Sequence, residues 1–163
     1  MSSVSRWFRS LKFRWIRFWH YLNGYVKICY EFQADDEGNT FPDEIVWAKP
    51  IGDNLYKVEN VPENIEELNL HDVVKCKEES NQLPIIVEVV RRSGNRTLRV
   101  EFKEETSAEN VVDVIMKLRE NKVLYEKASA RRYMFNIEPS TNYENIRDFL
   151  KSKEEEGLLW IYE

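Results

Sequence analysis

Apolar residues fall at every second position in short runs from Tyr25 to Phe102, and at every third and fourth position in two runs after Thr106. A period of two lays side chains on alternate faces of a strand, and a period near 3.6 lays them along one side of a helix. The chain therefore builds strands first and helices later. "YVKICYEFQ" reads as a strand and "ADDEGNTF" as a polar turn. "DEIVWAKPIGDNLYKVENVP" reads as two strands about Gly52-Asp53-Asn54, and another strand centres on Val73 and Val74. "LPIIVEVVRRSGNRTLRVEF" places two β-branched runs on either side of Ser93-Gly94-Asn95, the pattern of a hairpin, with Pro84 at a strand start or edge. Strands this short, turning this often, predict a small antiparallel barrel or curled sheet over residues 25–96.

Helix grammar governs residues 97–163. Thr106 precedes Glu109 by three positions and Thr141 precedes Glu144 by three, each a capping box. Val111, Val114, Ile115 and Leu118 form one apolar stripe; Tyr143, Ile146, Phe149 and Leu150 form a second, stopped by Gly157. Between them, residues 123–139 read as one bent strand or a hairpin, and "LLWIYE" closes as a strand. With a hairpin in the middle the order is the split βαβ of a ferredoxin-like domain. The boundary between the halves falls inside the Ser93-Gly94-Asn95 hairpin, so the two are expected to share a sheet. The fold class is α+β.

Residues 1–24 are of another kind. "SRWFRSLKFRWIRFWHYL", from Ser5 to Leu22, alternates cations with aromatics and holds no acid. On a helical wheel Trp7, Phe8, Leu11, Trp15, Phe18, Trp19 and Leu22 share an arc of about 120°, with Arg6, Arg9 and Arg17 opposite. Phe13 and Ile16 fall on the polar side. The pattern predicts an amphipathic helix ended by Asn23-Gly24. An aromatic face this wide must be covered: by the chain's own sheet, by a partner or second copy, or by a membrane surface.

Residues 1–30 hold six cations and no acid, which leaves 18 cations against 29 acids in residues 31–163, a net charge of −11. That balance disfavours nucleic acid, whose affinity comes from phosphate neutralisation. No apolar run reaches the ~18 residues of a membrane span, and no secretory signal is read. Cys29 and Cys76 stand in no CxxC pair and read as free thiols of a reducing, bacterial cytoplasm, with peripheral attachment to the inner membrane face as the variant.

"VWAKPIGDNLYKVENVP" resembles a bacterial family of unknown function, DUF4265. The likeness is carried by Trp47, Ala48, Pro50 and Gly52, then Tyr56, then Asn60 and Pro62, then Asp72-Val73-Val74 and Ser93-Gly94, and it spans residues 26–163. It implies a compact αβ domain with a core Trp47, and it brings no activity and no catalytic residue.

The chain presents no phosphate-binding glycine loop, no metal spacing, no cofactor motif and no catalytic set. His71 reads as a surface residue, out of strand parity with Cys76. The acids Asp35, Asp36, Glu37, Asp43 and Glu44 read as solvated turns. Two basic patches, Arg91 and Arg92 with Arg96, and Arg131 with Arg132, read as ion-paired within the chain ahead of phosphate or partner contacts. The expected function is a non-catalytic protein-interaction module that binds and masks a partner, in the manner of an immunity protein, antitoxin or inhibitor of a defence enzyme. The alternatives are a peripheral membrane protein anchored by residues 5–22, or a metabolite sensor or enzyme built on the ferredoxin-like half.

Overall fold

The computed structural model describes residues 24–33, 38, 42–78, 80 and 82–162. The expected N-terminal helix, with the aromatic face Trp7 to Leu22 and with Arg6, Arg9 and Arg17, lies outside the described residues.

Alternation sets the first five strands: β1 (Val26–Tyr30), β2 (Glu44–Gly52), β3 (Leu55–Val58), β4 (Val73–Lys77) and β5 (Ile85–Arg91). Ile28, Val46, Ala48, Val58, Val74 and Cys76 point into one core. Each strand pairs antiparallel with the next, and the five close into a barrel. Five is odd, so the last strand meets the first in parallel. Cys29 lies opposite Ile85, and the Cys29 N–H donates to the Pro84 carbonyl at 2.8 Å. Pro84 thus sits just before a strand, where its missing N–H costs no ladder bond. At the β2–β3 turn Asp53 and Asn54 take φ of 53° and 57°, the left-handed pair a two-residue hairpin requires. Trp47 departs from expectation. Its neighbours Val46 and Ala48 fill the barrel, so alternation turns Trp47 outward, where it is half-buried with Lys27 Nζ 5.4 Å from its ring.

The second half runs β6 (Arg96–Phe102), α1 (Ala108–Glu120), β7 (Leu124–Lys127), β8 (Arg132–Ile137), α2 (Tyr143–Glu155) and β9 (Leu159–Tyr162). Its four strands form an antiparallel sheet in the order β7-β8-β6-β9. Leu98, Val100, Phe102, Tyr133, Phe135 and Leu159 cover one face and bury it under Val114, Ile115 and Leu118 of α1 and Ile146 and Leu150 of α2. Both helices start one residue later than the capping boxes predict. Ser107 accepts from the Asn110 N–H and Asn142 from the Asn145 N–H, both at 3.2 Å. Thr106 is buried and donates to the Leu158 carbonyl at 2.6 Å instead. Gly157 ends α2 as expected, at φ 80°.

The hairpin expected across Ser93-Gly94-Asn95 does not form. β5 belongs to the barrel and β6 to the second sheet, so the two halves do not share a sheet. The turn is taken up by the link of residues 59–72. The Ser93 N–H donates to Asp72 Oδ1 at 2.7 Å, and Ser93 Oγ and Asn95 Nδ2 both donate to the Leu70 carbonyl, at 2.8 and 2.9 Å. Gly94 is at φ 85°, and a Cβ there would meet Pro139 Cγ at 3.0 Å. Local β propensity asks for a hairpin; these captured donors bend the chain from one sheet into the other.

Candidate functional site

The sheet face turned away from the helices carries Thr97 and Arg99 of β6, Glu126 of β7, and Met134 and Asn136 of β8. The link lies on it. Ile65 and Leu68 of the link plug the barrel core, and Val61 and Leu70 pack on Met134. Arg99, 4% exposed, donates to the carbonyls of Glu63 at 2.8 Å, Ile65 at 2.6 Å and Pro62 at 3.4 Å. Burial lowers its pKa, with the carboxylates of Glu44 and Glu66 opposing that shift. Glu44, expected in a solvated turn, instead accepts the N–H groups of Glu63 and Asn64 at 2.6 and 2.7 Å.

Two residues of the basic patches, Arg92 and Arg132, are spent on the same joint. Arg92 bonds the Glu67 carbonyl and pairs with Asp72 at 3.3 Å. Arg132 donates to Asn64 at 2.9 Å and pairs with Glu63 at 3.3 Å. Arg131 ties the start of β8 to the carbonyls of Lys103 and Glu104, and Arg96 lies 3.3 Å over the Tyr143 ring. Arg91 is exposed on β5.

Where the link passes β7 it leaves a cleft of about 580 Å³. Glu59, Val61, Leu70 and His71 form one wall; Leu124 and Glu126 form part of the other. His71 is held at φ 68°, its Nε2 3.7 Å from Glu59 Oε2, and Lys57 Nζ is 3.1 Å from Glu59 Oε1. Cys76 points into the barrel, away from His71, and burial pushes its thiol up to about 12. The Val61 N–H donates to Glu126 Oε1 at 2.9 Å. Burial raises the Glu126 carboxyl from its ordinary value, and the Val61 bond opposes that shift. A carboxyl raised in the folded state keeps its proton to higher pH there than in the unfolded chain. Its contribution to stability therefore falls as pH rises between the two values, and the ionised form of Glu126 weighs against the fold.

β7 and β9 are the two edges of this sheet, and they differ. The Ala128 N–H bonds the Arg132 carbonyl at 3.0 Å, so by antiparallel alternation the N–H and C=O of Tyr125 and Lys127 point outward. Among the described residues no strand pairs with that outer edge. The edge is flanked on both faces: by the Glu126 cleft on one, and on the other by a groove of about 350 Å³ lined by Val111, Val112, Lys127 and Tyr133. Leu124, Tyr125, Val112 and Met116 are 55, 38, 55 and 49% exposed. On β9, Trp160 and Tyr162 are also exposed, but the outward Ile161 N–H is taken by Glu154 Oε1 at 2.9 Å. An edge blocked by a charged side chain resists pairing with other strands. Replacing Glu154 by Ala is expected to make the protein self-associate with concentration in sedimentation velocity, while Gln, which keeps the acceptor, leaves it unchanged.

Sequence reasoning missed Arg99, Glu126 and the β7 edge. A charged residue alternating with apolar ones reads as a solvent-facing position, and nothing near either residue in sequence announces the link that covers it. Among the described residues, no His, Cys, Asp and Glu are grouped to hold a metal ion, and no helix is long and apolar enough to cross a membrane.

A domain of unknown function, DUF4265, matches residues 44–161. No curated protein matches the chain. A solved structure described as the novel crystal structure of a hypothetical protein from Neisseria gonorrhoeae aligns with a TM-score of 0.72 at 20% identity, covering 85% of this chain and 92% of that one. At that identity the likeness is one of fold.

Proposed function

The chain belongs to the DUF4265 family, which brings no activity with it, and from the geometry we propose that it is a non-catalytic protein-binding module. It takes an extended segment of a basic partner protein as an added strand on β7 and masks that partner, as an immunity protein or an inhibitor of a defence enzyme does. One observation carries this reading: of the two sheet edges, Glu154 blocks β9 while β7 is open and flanked by a groove on each face. Strand addition draws affinity from main-chain hydrogen bonds and specificity from alternate side chains entering pockets on the two faces. We read the second half as ferredoxin-like, which the order β9-β6-β8-β7 with both helices on one face supports. In that arrangement β7 is an edge by topology. The partner's basic character follows from the net charge of −11 on residues 31–163, which steers cationic surfaces toward it.

The test places a photo-crosslinking phenylalanine at Tyr125 and, separately, at Tyr162, both exposed aromatic positions on opposite edges. A single partner adduct is expected in host cells from position 125 and none from position 162. Adding Lys127→Pro should abolish the adduct and Lys127→Ala should keep it. Proline removes an outward N–H that makes no ladder bond, so the melting temperature should shift by no more than about 4 °C. Absence of the adduct at 125, or its survival in a folded Lys127→Pro protein, rules out docking on β7.

A further inference from the structure

Resting on the reading of β7 as a docking edge, we propose that the docked segment presents a lysine or arginine that enters the cleft and ion-pairs with Glu126. The Glu126 carboxylate has one oxygen bonded to the Val61 N–H at 2.9 Å and no cationic partner among the described residues. Glu59, across the cleft, is already paired with Lys57 at 3.1 Å and faces His71. Arg119 lines the cleft from the last turn of α1, is exposed, and forms no ion pair among the described residues. Of the two carboxylates that line the cleft, Glu126 is thus the one without a cationic partner among the described residues.

Strand geometry brings the cation to it. A residue of an added strand opposite Glu126 projects to the same face, with Cβ atoms about 5 Å apart. Val61, Leu70 and Leu124 give that side chain an apolar wall for its methylene stem, while its charged head reaches the carboxylate. Asn136, cross-strand neighbour of Leu124, is 1% exposed with neither amide atom partnered, a second polar group beside the cleft that the fold leaves unsatisfied. A carboxylate kept at a cost to stability, beside an open edge, is the arrangement expected of a recognition residue.

A display library of random decapeptides, panned in parallel on the full-length protein and on its Glu126→Gln and Lys127→Pro variants, tests this. Peptides selected on the parent protein should share one fixed Lys or Arg position and bind Glu126→Gln at least about tenfold more weakly, the loss of a charge-assisted hydrogen bond. Replacing that Lys by norleucine should cost as much on the parent and little more on Glu126→Gln. Glu126→Gln should melt at the same or a higher temperature, which a merely structural carboxylate would not do. Peptides that fail on Lys127→Pro yet lack a basic position, or bind Glu126→Gln equally well, overturn the cation pairing and leave the docking edge standing. Peptides that bind all three proteins alike, or no selected peptide at all, overturn the docking edge and the pairing with it.

Discussion

Replacing Arg99 by methionine is expected to cost about 3–5 kcal/mol, read as a fall in the urea midpoint at unchanged slope. The volume is nearly kept, so the loss comes from hydrogen bonding. Three carbonyls of the link, those of Pro62, Glu63 and Ile65, converge on one guanidinium. Removing it leaves them facing the sheet with no donor, and each buried, unpaired acceptor costs about 1–3 kcal/mol. Relief of the desolvation that lowers the Arg99 pKa offsets part of this. Lysine should not rescue. Its single ammonium cannot span three carbonyls that a planar fork of N–H groups reaches at once. The effect extends to the site: Glu59, Val61 and Leu70 of the cleft wall sit on the link that Arg99 holds. Thr97→Val is the contrast, since Thr97 makes one bond to the link, to Asn69 at 2.9 Å, and its loss should cost about 1 kcal/mol. An Arg99→Met protein as stable as the parent would show that the link is held by its apolar anchors alone.

Asp72→Ala is expected to cost about 2–4 kcal/mol by the same kind of measurement. Its carboxylate is fully buried and accepts from the Asn69 N–H at 3.0 Å, the Ser93 N–H at 2.7 Å and Arg92 at 3.3 Å. Two of these donors are backbone N–H groups, and each bonds a different oxygen of the carboxylate. Asparagine should recover little, because its amide nitrogen must face one of the two N–H donors. The loss should be felt first where the chain passes between sheets, so the Ser93 and Asn95 amides should exchange with deuterium faster than those of β8. Equal acceleration across both sheets would mean that Asp72 serves global stability and not this bend.

Much of the secondary structure was legible, because it rests on local physics. The stripes of α1 and α2, the Gly157 stop, the Asp53-Asn54 turn and the barrel character of residues 25–96 all follow from periods and turn residues within a few positions. Errors cluster where a choice depended on distant partners. Alternation says which face of β5 and β6 is apolar; it does not say that they pair with β4 and β8 instead of each other. The Thr106 cap failed by one residue because Thr106 finds the Leu158 carbonyl, a partner 52 positions away.

The sequence alone determined that this chain makes strands and then helices, with an acidic body behind a basic aromatic start. Those properties come from the order of side chains and the period of the backbone. Tertiary structure decided the rest. The link bends onto the second sheet because Arg99, Asp72 and Glu44 collect its carbonyl and amide groups, and in doing so it half-buries Glu126 on β7. Whether an edge is open is likewise a three-dimensional matter: Glu154 reaches the Ile161 N–H of β9 at 2.9 Å, while the outward groups of Tyr125 and Lys127 meet no neighbouring strand among the described residues. A hydrogen bond between residues far apart in sequence leaves no local pattern, so the site that those bonds create becomes visible only in the fold.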